Sequence, residues 1–135
     1  MDEENLGPEV LMSVLGHSGE IDGRTRFQKT VFLLKREKNI PIRYKFIPHL
    51  HGPYSRNMQL DLGFLSLMGL VEETHSGLSY KYTLTEKGRR TLKRVKKELA
   101  RNIDPIIAAA CKEFAGVTTE ELVARSKSIL ANDRV

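Results

Sequence analysis

Residues 61–92, DLGFLSLMGLVEETHSGLSYKYTLTEKGRRTL, constrain the fold more than any other part of the chain. Apolar residues at helical spacing lead to Gly69, and glycine commonly follows the last turn of a helix. Residues 75–77 supply turn chemistry between two alternating segments, which predicts a two-stranded hairpin at 71–83. Thr85 then begins a further helix. A helix, a hairpin and a second helix therefore follow one another without a linker.

The helix before this hairpin is predicted to run from an N-cap at Ser55 to about Met68. Its apolar residues form two neighbouring stripes that together cover more than half of the circumference. The first stripe is Met58, Leu62 and Leu65, and the second is Leu60, Phe64 and Leu67. The polar remainder includes a stripe of Arg56, Gln59, Gly63 and Ser66.

Two further helices and an alternating segment are predicted upstream. Pro8 suits the first turn of one helix, and Phe27, Val31 and Leu34 define the apolar stripe of the next. Residues 42–46 then alternate apolar and basic side chains, which indicates either a short strand or an extended segment lying on the core.

Downstream, one long helix is predicted from Thr85 to about Ile103, followed by two more. The first of these ends at Gly116, and a capping box of Thr118 and Glu121 precedes the last. The predicted fold class is α+β, mainly α.

The ending YTLTEKGRRTL, together with the helix and hairpin before it, resembles the winged helix-turn-helix superfamily, including MarR-like and PadR-like regulators. Two upstream motifs are similar to a narrower group of small prokaryotic proteins of the YwgA type, and more loosely to Panacea-type antitoxin domains. These motifs are RFQKTVFLL at 26–34 and FIPHLHGPYS at 46–55. This chain carries His49 and His51 where the narrower group tends to have aromatic residues.

The resemblance implies that the helix after Ser55 occupies the recognition-helix position and that the hairpin is the wing. The chain is expected to divide into an acidic leader at 1–7, a winged-helix domain at 8–103 and a helical extension at 104–135. The extension is expected to serve for dimerisation or packing, because residues 106–130 carry more apolar surface than a small winged helix needs. Recognition helices contact base edges with their N-terminal residues. The residues expected to contact bases are Arg56, Asn57, Gln59 and Ser66. The guanidinium of Arg and the amides of Asn and Gln are the groups best able to make bidentate contacts to base edges. A purely structural helix is the alternative.

Charge is strongly segregated along the chain. Residues 21–58 hold nine bases and two acids, and residues 87–101 hold eight bases and one acid. These blocks would attract a phosphate backbone if they share one face of the fold, or else form solvated helix surfaces. The residues expected to contact phosphates are Arg24, Arg26, Lys29, Tyr54, Ser55, Lys81, Arg90, Lys93 and Lys97. The hairpin itself adds little attraction for phosphates, because Lys81 is its only cation.

No pattern in the chain favours an enzyme, a cofactor or a metal site. His49 and His51 lack the further ligands that zinc requires, and they are expected to pack near the turn. Cys111 lies in an alanine-rich apolar segment and is interpreted as a small core residue. A lone cysteine, an acidic N-terminus and the lack of an apolar run of roughly 18 residues favour a cytoplasmic protein without a membrane span.

Two functional hypotheses follow from the sequence. The first is a winged-helix transcriptional regulator, homodimeric, that binds double-stranded DNA through the 55–68 helix and the basic helices beside it. The second is a non-catalytic, antitoxin-like module on the same fold, whose 55–68 helix docks on a protein partner.

Overall fold

The computed structural model describes residues 4–133, which form six helices and two antiparallel sheets. The helices are α1 (Pro8–Ser18), α2 (Arg24–Arg36), α3 (Arg56–Leu67), α4 (Glu86–Lys96), α5 (Ile103–Ala115) and α6 (Thr119–Asn132). The strands are β1 (Glu20–Asp22), β2 (Ile47–His49), β3 (Gly52–Tyr54), β4 (Val71–Ser76) and β5 (Ser79–Leu84). The α+β, mainly helical class is confirmed. The first three residues of the predicted leader, and residues 134 and 135 of the predicted extension, lie outside the described part.

The predicted hairpin is confirmed and belongs to a three-stranded sheet. Strands β4 and β5 pair antiparallel, with Val71 opposite Leu84, and β1 adds to the other edge of β5. The turn is Gly77-Leu78 rather than the predicted 75–77, because His75 and Ser76 pair with β5. The positive φ of 62° at Gly77 suits glycine. Strand β1 was not predicted, because three residues are too few to show an alternating pattern.

The segment between α2 and α3 is extended along the core before it forms a small hairpin. Ile42 and Tyr44 are 0% and 1% exposed, whereas Arg43 and Lys45 face solvent. This is the second of the two predicted alternatives for residues 42–46. Strands β2 and β3 follow, and β3 ends directly before Ser55. Neither strand was predicted from the sequence.

Helix α1 lies at the centre of the core and contacts α3, α4 and α5, while α6 packs against α2. The C-terminal helices contribute Ile107, Phe114 and Leu122 to the same hydrophobic cluster. The apolar side chains that prompted the prediction of a separate extension therefore pack within the chain.

The prediction of one helix from Thr85 to Ile103 is wrong. The helix begins as expected, with the Thr85 hydroxyl accepting a hydrogen bond from the Gly88 N–H at 2.9 Å, but it ends at Lys96. The turn at 97–102 brings Asp104 against α1, where its carboxylate accepts a 2.6 Å hydrogen bond from Ser13 and lies 3.1 Å from His17. Contacts with α1 outweigh the helical propensity of this segment.

Candidate functional site

The first turn of α3 is held in place by a capping hydroxyl and a buried amide. The Ser55 hydroxyl accepts a hydrogen bond from the Met58 N–H at 3.2 Å, which confirms the predicted N-cap. The side chain of Gln28 in α2 donates to the Ser55 carbonyl at 2.9 Å and accepts from the Ser55 N–H at 2.8 Å. Both side chains are buried, so the start of α3 is fixed relative to α2.

Lys29 makes a second contact between the same two motifs. Its ammonium group donates to the Pro53 carbonyl at 2.7 Å, and the residue is 2% exposed. Burial, together with the nearby charge of Lys127, lowers the pKa of Lys29 to about 8. The motifs at 26–34 and 46–55 therefore meet in one joint that positions α3.

The two apolar stripes of α3 have different surroundings. Met58, Leu62 and Leu65 are 0%, 2% and 4% exposed, because this face packs against α1 and β4. Leu60, Phe64 and Leu67 are 58%, 61% and 88% exposed. The two stripes therefore differ in solvent exposure, although both are apolar. We call Leu60, Phe64 and Leu67 the exposed stripe.

The residues expected to contact bases differ in their exposure to solvent. Arg56 and Asn57 are exposed in the first turn of α3. Gln59 is half-buried, accepts a long hydrogen bond from Gln28 at 3.4 Å and donates to the Tyr82 hydroxyl at 3.3 Å. Ser66 is half-buried near the other end of the helix, about 15 Å from Arg56 at 1.5 Å per residue. Two of the four side chains thus share an open surface.

Three of the bases expected to contact phosphates have partners within the protein. Arg24 stacks on the Tyr80 ring at 3.9 Å, donates to Tyr82, and lies 3.7 Å from a Glu73 oxygen. Arg26 donates to the Phe114 carbonyl at 2.7 Å and so joins α2 to the end of α5. Lys81 lies 3.6 Å from Glu20 on the neighbouring strand.

Three other members of that set are fully or partly buried. Ser55 is 1% exposed and Lys29 is 2% exposed, so a phosphate does not reach either side chain in this conformation. Tyr54 is half-buried, with its ring 5.1 Å from that of His49. The side chains of Lys29 and Ser55 serve the start of α3 instead.

The remaining three, Arg90, Lys93 and Lys97, are exposed on α4 and its C-terminal turn. Helix α4 begins against the C-terminal end of α3, where Thr85 donates to the Gly69 carbonyl at 2.6 Å and Lys87 to the Met68 carbonyl at 3.1 Å. Arg56 lies at the opposite end of α3. The start of α4 therefore lies at the end of α3 opposite the predicted base-reading residues.

The histidine and cysteine side chains have structural surroundings. His49 packs on Tyr54 beside the turn, as predicted for both histidines, whereas His51 is exposed. Cys111 is buried, and burial raises the pKa of its thiol. Within residues 4–133, no three His, Cys, Asp or Glu side chains converge as metal ligands.

The exposed stripe is what sequence reasoning missed. A surface helix needs an apolar stripe of little more than 100° to reach its own core. The apolar residues of α3 exceed that width, and this excess was the available indication of a second contact surface.

Comparison with known proteins gives a similarity that covers part of the chain. No model of a known protein family matches it. None of the helices in the described range has the length and apolar content to cross a bilayer. The chain is 38% identical over 82 residues to the uncharacterized protein YwgA of Bacillus subtilis (strain 168). That match covers 58% of this chain and 49% of the relative, so the chain spans about half the length of the curated relative. The predicted similarity to YwgA-type proteins is thereby confirmed.

Proposed function

We propose that this chain is a non-catalytic protein-interaction module, built on a winged-helix scaffold, that docks through the exposed stripe of α3. The observation that carries the proposal is the exposure of Leu60, Phe64 and Leu67 on a helix whose opposite face lies in the core. The stripe docks into an apolar groove of a partner protein, and acidic residues line the two ends of that groove.

The spacing of the exposed stripe suits a groove. Leu60, Phe64 and Leu67 stand at i, i+4 and i+7, the pattern of anchors by which a helix lies in an apolar groove. Contiguous exposed apolar surface marks interaction sites on soluble proteins, and a central aromatic anchor is typical of them. Phe64 is at the centre of this stripe.

The charges around the stripe favour an acidic rim on the partner. Arg56 is exposed at one end of α3, and Lys87 is exposed at the other. Asp61, the one carboxylate of α3, is neutralised by a 2.8 Å ion pair with Arg43 and a 2.7 Å hydrogen bond from Tyr44. The described ends of the stripe are therefore cationic.

The scaffold proposal is supported by the order of elements. Helix α3 leads directly into the β4–β5 hairpin, in the positions that the resemblance implies for a recognition helix and a wing. Helix α4 follows the hairpin as expected. Base edges are read mainly by polar side chains, whereas the exposed side of α3 also carries Leu60, Phe64 and Leu67.

Site-specific cross-linking tests the docking surface. A photo-reactive amino acid in place of Leu67 should form one dominant adduct in cells of the source organism, on a partner peptide with apolar and acidic residues. The same group in place of Arg94, on the exposed side of α4, is the control and should form none. Phe64→Ser should abolish co-purification of that partner, whereas Arg94→Gln should not.

Two results would overturn the proposal. One is a partner that remains at full stoichiometry on the Phe64→Ser variant. The other is an adduct of Leu67 only with a second copy of this chain, which would show that the stripe is a homodimer contact.

DNA binding is the second candidate, and one observation favours it. Arg90, Lys93, Arg94, Lys97 and Arg101 are exposed on α4 and the following turn, and within the described residues only Arg90 of these has an acidic partner. Such a face attracts phosphates without reading sequence. A mobility shift at about 50 mM salt that disappears on reversing Lys93 and Lys97, and survives Phe64→Ser, would favour DNA over the protein partner.

A further inference from the structure

A cleft whose described lining includes no residue of the exposed stripe has an apolar floor. It lies between the C-terminal half of α1, the end of β5 and α4, with a volume of about 490 Å³. The floor is formed by Leu15, Leu84 and Leu92, which are 1%, 7% and 5% exposed. This volume falls within the range of about 300–1,000 Å³ that small-molecule sites occupy.

The mouth of the same cleft is cationic. Arg89, Lys93 and Lys96 line it, and no carboxylate is among its described lining residues. Lys96 lies 3.5 Å from Asp104, outside the cleft, and Arg89 uses one N–H to donate to the Leu84 carbonyl at 3.1 Å. The remaining donors of Arg89 and the ammonium group of Lys93 are available to a ligand.

We propose that this cleft binds a small organic carboxylate with an apolar body. The carboxylate group lies between Arg89 and Lys93, where charge-assisted hydrogen bonds are the strong kind. The hydrocarbon body lies on Leu15, Leu84 and Leu92. This site is independent of the docking surface on α3.

One feature of the cleft disfavours the binding of an anion, and it makes an ammonium compound the informative comparison ligand. Gly16 and Gly19 of the cleft wall belong to the C-terminal end of α1, where helix carbonyls carry partial negative charge. If those carbonyls dominate, the cleft would prefer an ammonium ligand. If Arg89 and Lys93 dominate, it prefers a carboxylate.

Methyl NMR titration of the full chain with decanoate, decanol and decylammonium at matched concentrations tests the proposal. Decanoate should shift the methyl resonances of Leu15, Leu84 and Leu92 and leave those of Leu60 and Leu67 unchanged. Decanol should bind about tenfold more weakly, since it lacks the charge-assisted hydrogen bonds. Decylammonium should not bind in the cleft.

Matched charge variants localise the effect. Lys93→Gln should weaken decanoate binding about tenfold, while Arg94→Gln, which removes an equal charge from the outer side of α4, should leave it unchanged. The proposal is overturned by tighter binding of decylammonium than decanoate, by equal loss in both variants, or by decanoate shifts at Leu60 and Leu67 alone. Absence of any shift at millimolar decanoate would overturn it as well.

Discussion

The side-chain amide of Gln28 bonds both backbone groups of Ser55, accepting from its N–H at 2.8 Å and donating to its carbonyl at 2.9 Å. An amide is the side chain that can donate and accept in one plane, as a neighbouring strand would. The two most recognisable motifs of the chain thus meet at this pair. Their shared role is to orient α3, the helix that carries the exposed stripe.

Replacing Gln28 with Glu should destabilise the protein, since the carboxylate keeps the acceptor, loses the donor and leaves the Ser55 carbonyl unsatisfied. The expected loss is about 1–3 kcal/mol of unfolding free energy, measured by urea denaturation. Asn57→Asp, on the exposed first turn of α3, removes an amide in the same way and should change stability by less than about 0.5 kcal/mol. Equal effects at the two positions would show that the Gln28 contacts contribute nothing.

Sequence reasoning placed the caps of α3 and α6 well, because each depends on a hydroxyl three residues before a free N–H. Thr118 accepts from the Glu121 N–H at 3.2 Å, as its capping box predicted. The sequence-based prediction was wrong at residues 97–102, where Lys and Glu favour a helix locally. Only the position of α1, which supplies Ser13 and His17 to Asp104, explains why the helix stops there.

The candidate site was harder to predict than the fold. A leucine at helical spacing has the same pattern whether it faces a core or solvent, so Leu62 and Leu60 could not be told apart. The difference arises from the neighbours, since α1 and β4 cover one side of α3 and no described element covers the other. Exposure is a property of the assembled fold.

Replacing each of two helical glycines with alanine should change the unfolding free energy in opposite directions. A Cβ at Gly88 would overlap the Leu70 carbonyl oxygen, where α4 crosses the end of α3, so Gly88→Ala should cost about 1–3 kcal/mol. A Cβ at Gly63 meets nothing within 4 Å, so Gly63→Ala should gain about 0.5–1 kcal/mol from helix propensity. Thermal and urea unfolding of both variants measure the two signs. A gain at Gly88 would show that α4 does not approach Leu70 this closely.

Stability should rise with pH between about 8 and 10 because of Lys29. Its pKa falls from the ordinary 10.5 to about 8 in the folded protein, so the unfolded chain binds more protons across this window. The rise is at most about 1.4 kcal/mol per pH unit, and it ends where unfolded tyrosines ionise, since burial raises the pKa of Tyr44 and Tyr82. Urea midpoints at several pH values measure it.

The Lys29→Met variant should lose this pH dependence, since it has no proton to release. Lys127→Gln is the informative partner, because removing the nearby positive charge should raise the pKa of Lys29 and move the rise to higher pH. A wild-type profile that is flat from pH 8 to 10 would mean that the Lys29 ammonium stays as well solvated as in the unfolded chain.

Neighbouring leucines on α3 should differ sharply in their contribution to stability. Leu62 is 2% exposed, and Leu62→Ala should cost about 2–5 kcal/mol through lost packing and a cavity. Leu67 is 88% exposed, and Leu67→Ala should change the unfolding free energy by less than about 0.5 kcal/mol. Urea denaturation of the two variants, at a protein concentration low enough to disfavour self-association, gives the comparison.

A cost in unfolding free energy at Leu67 close to that at Leu62 would place the stripe inside the fold and remove the basis for a docking surface. A silent Leu67→Ala variant that loses its partner in cells would instead assign that leucine to binding alone.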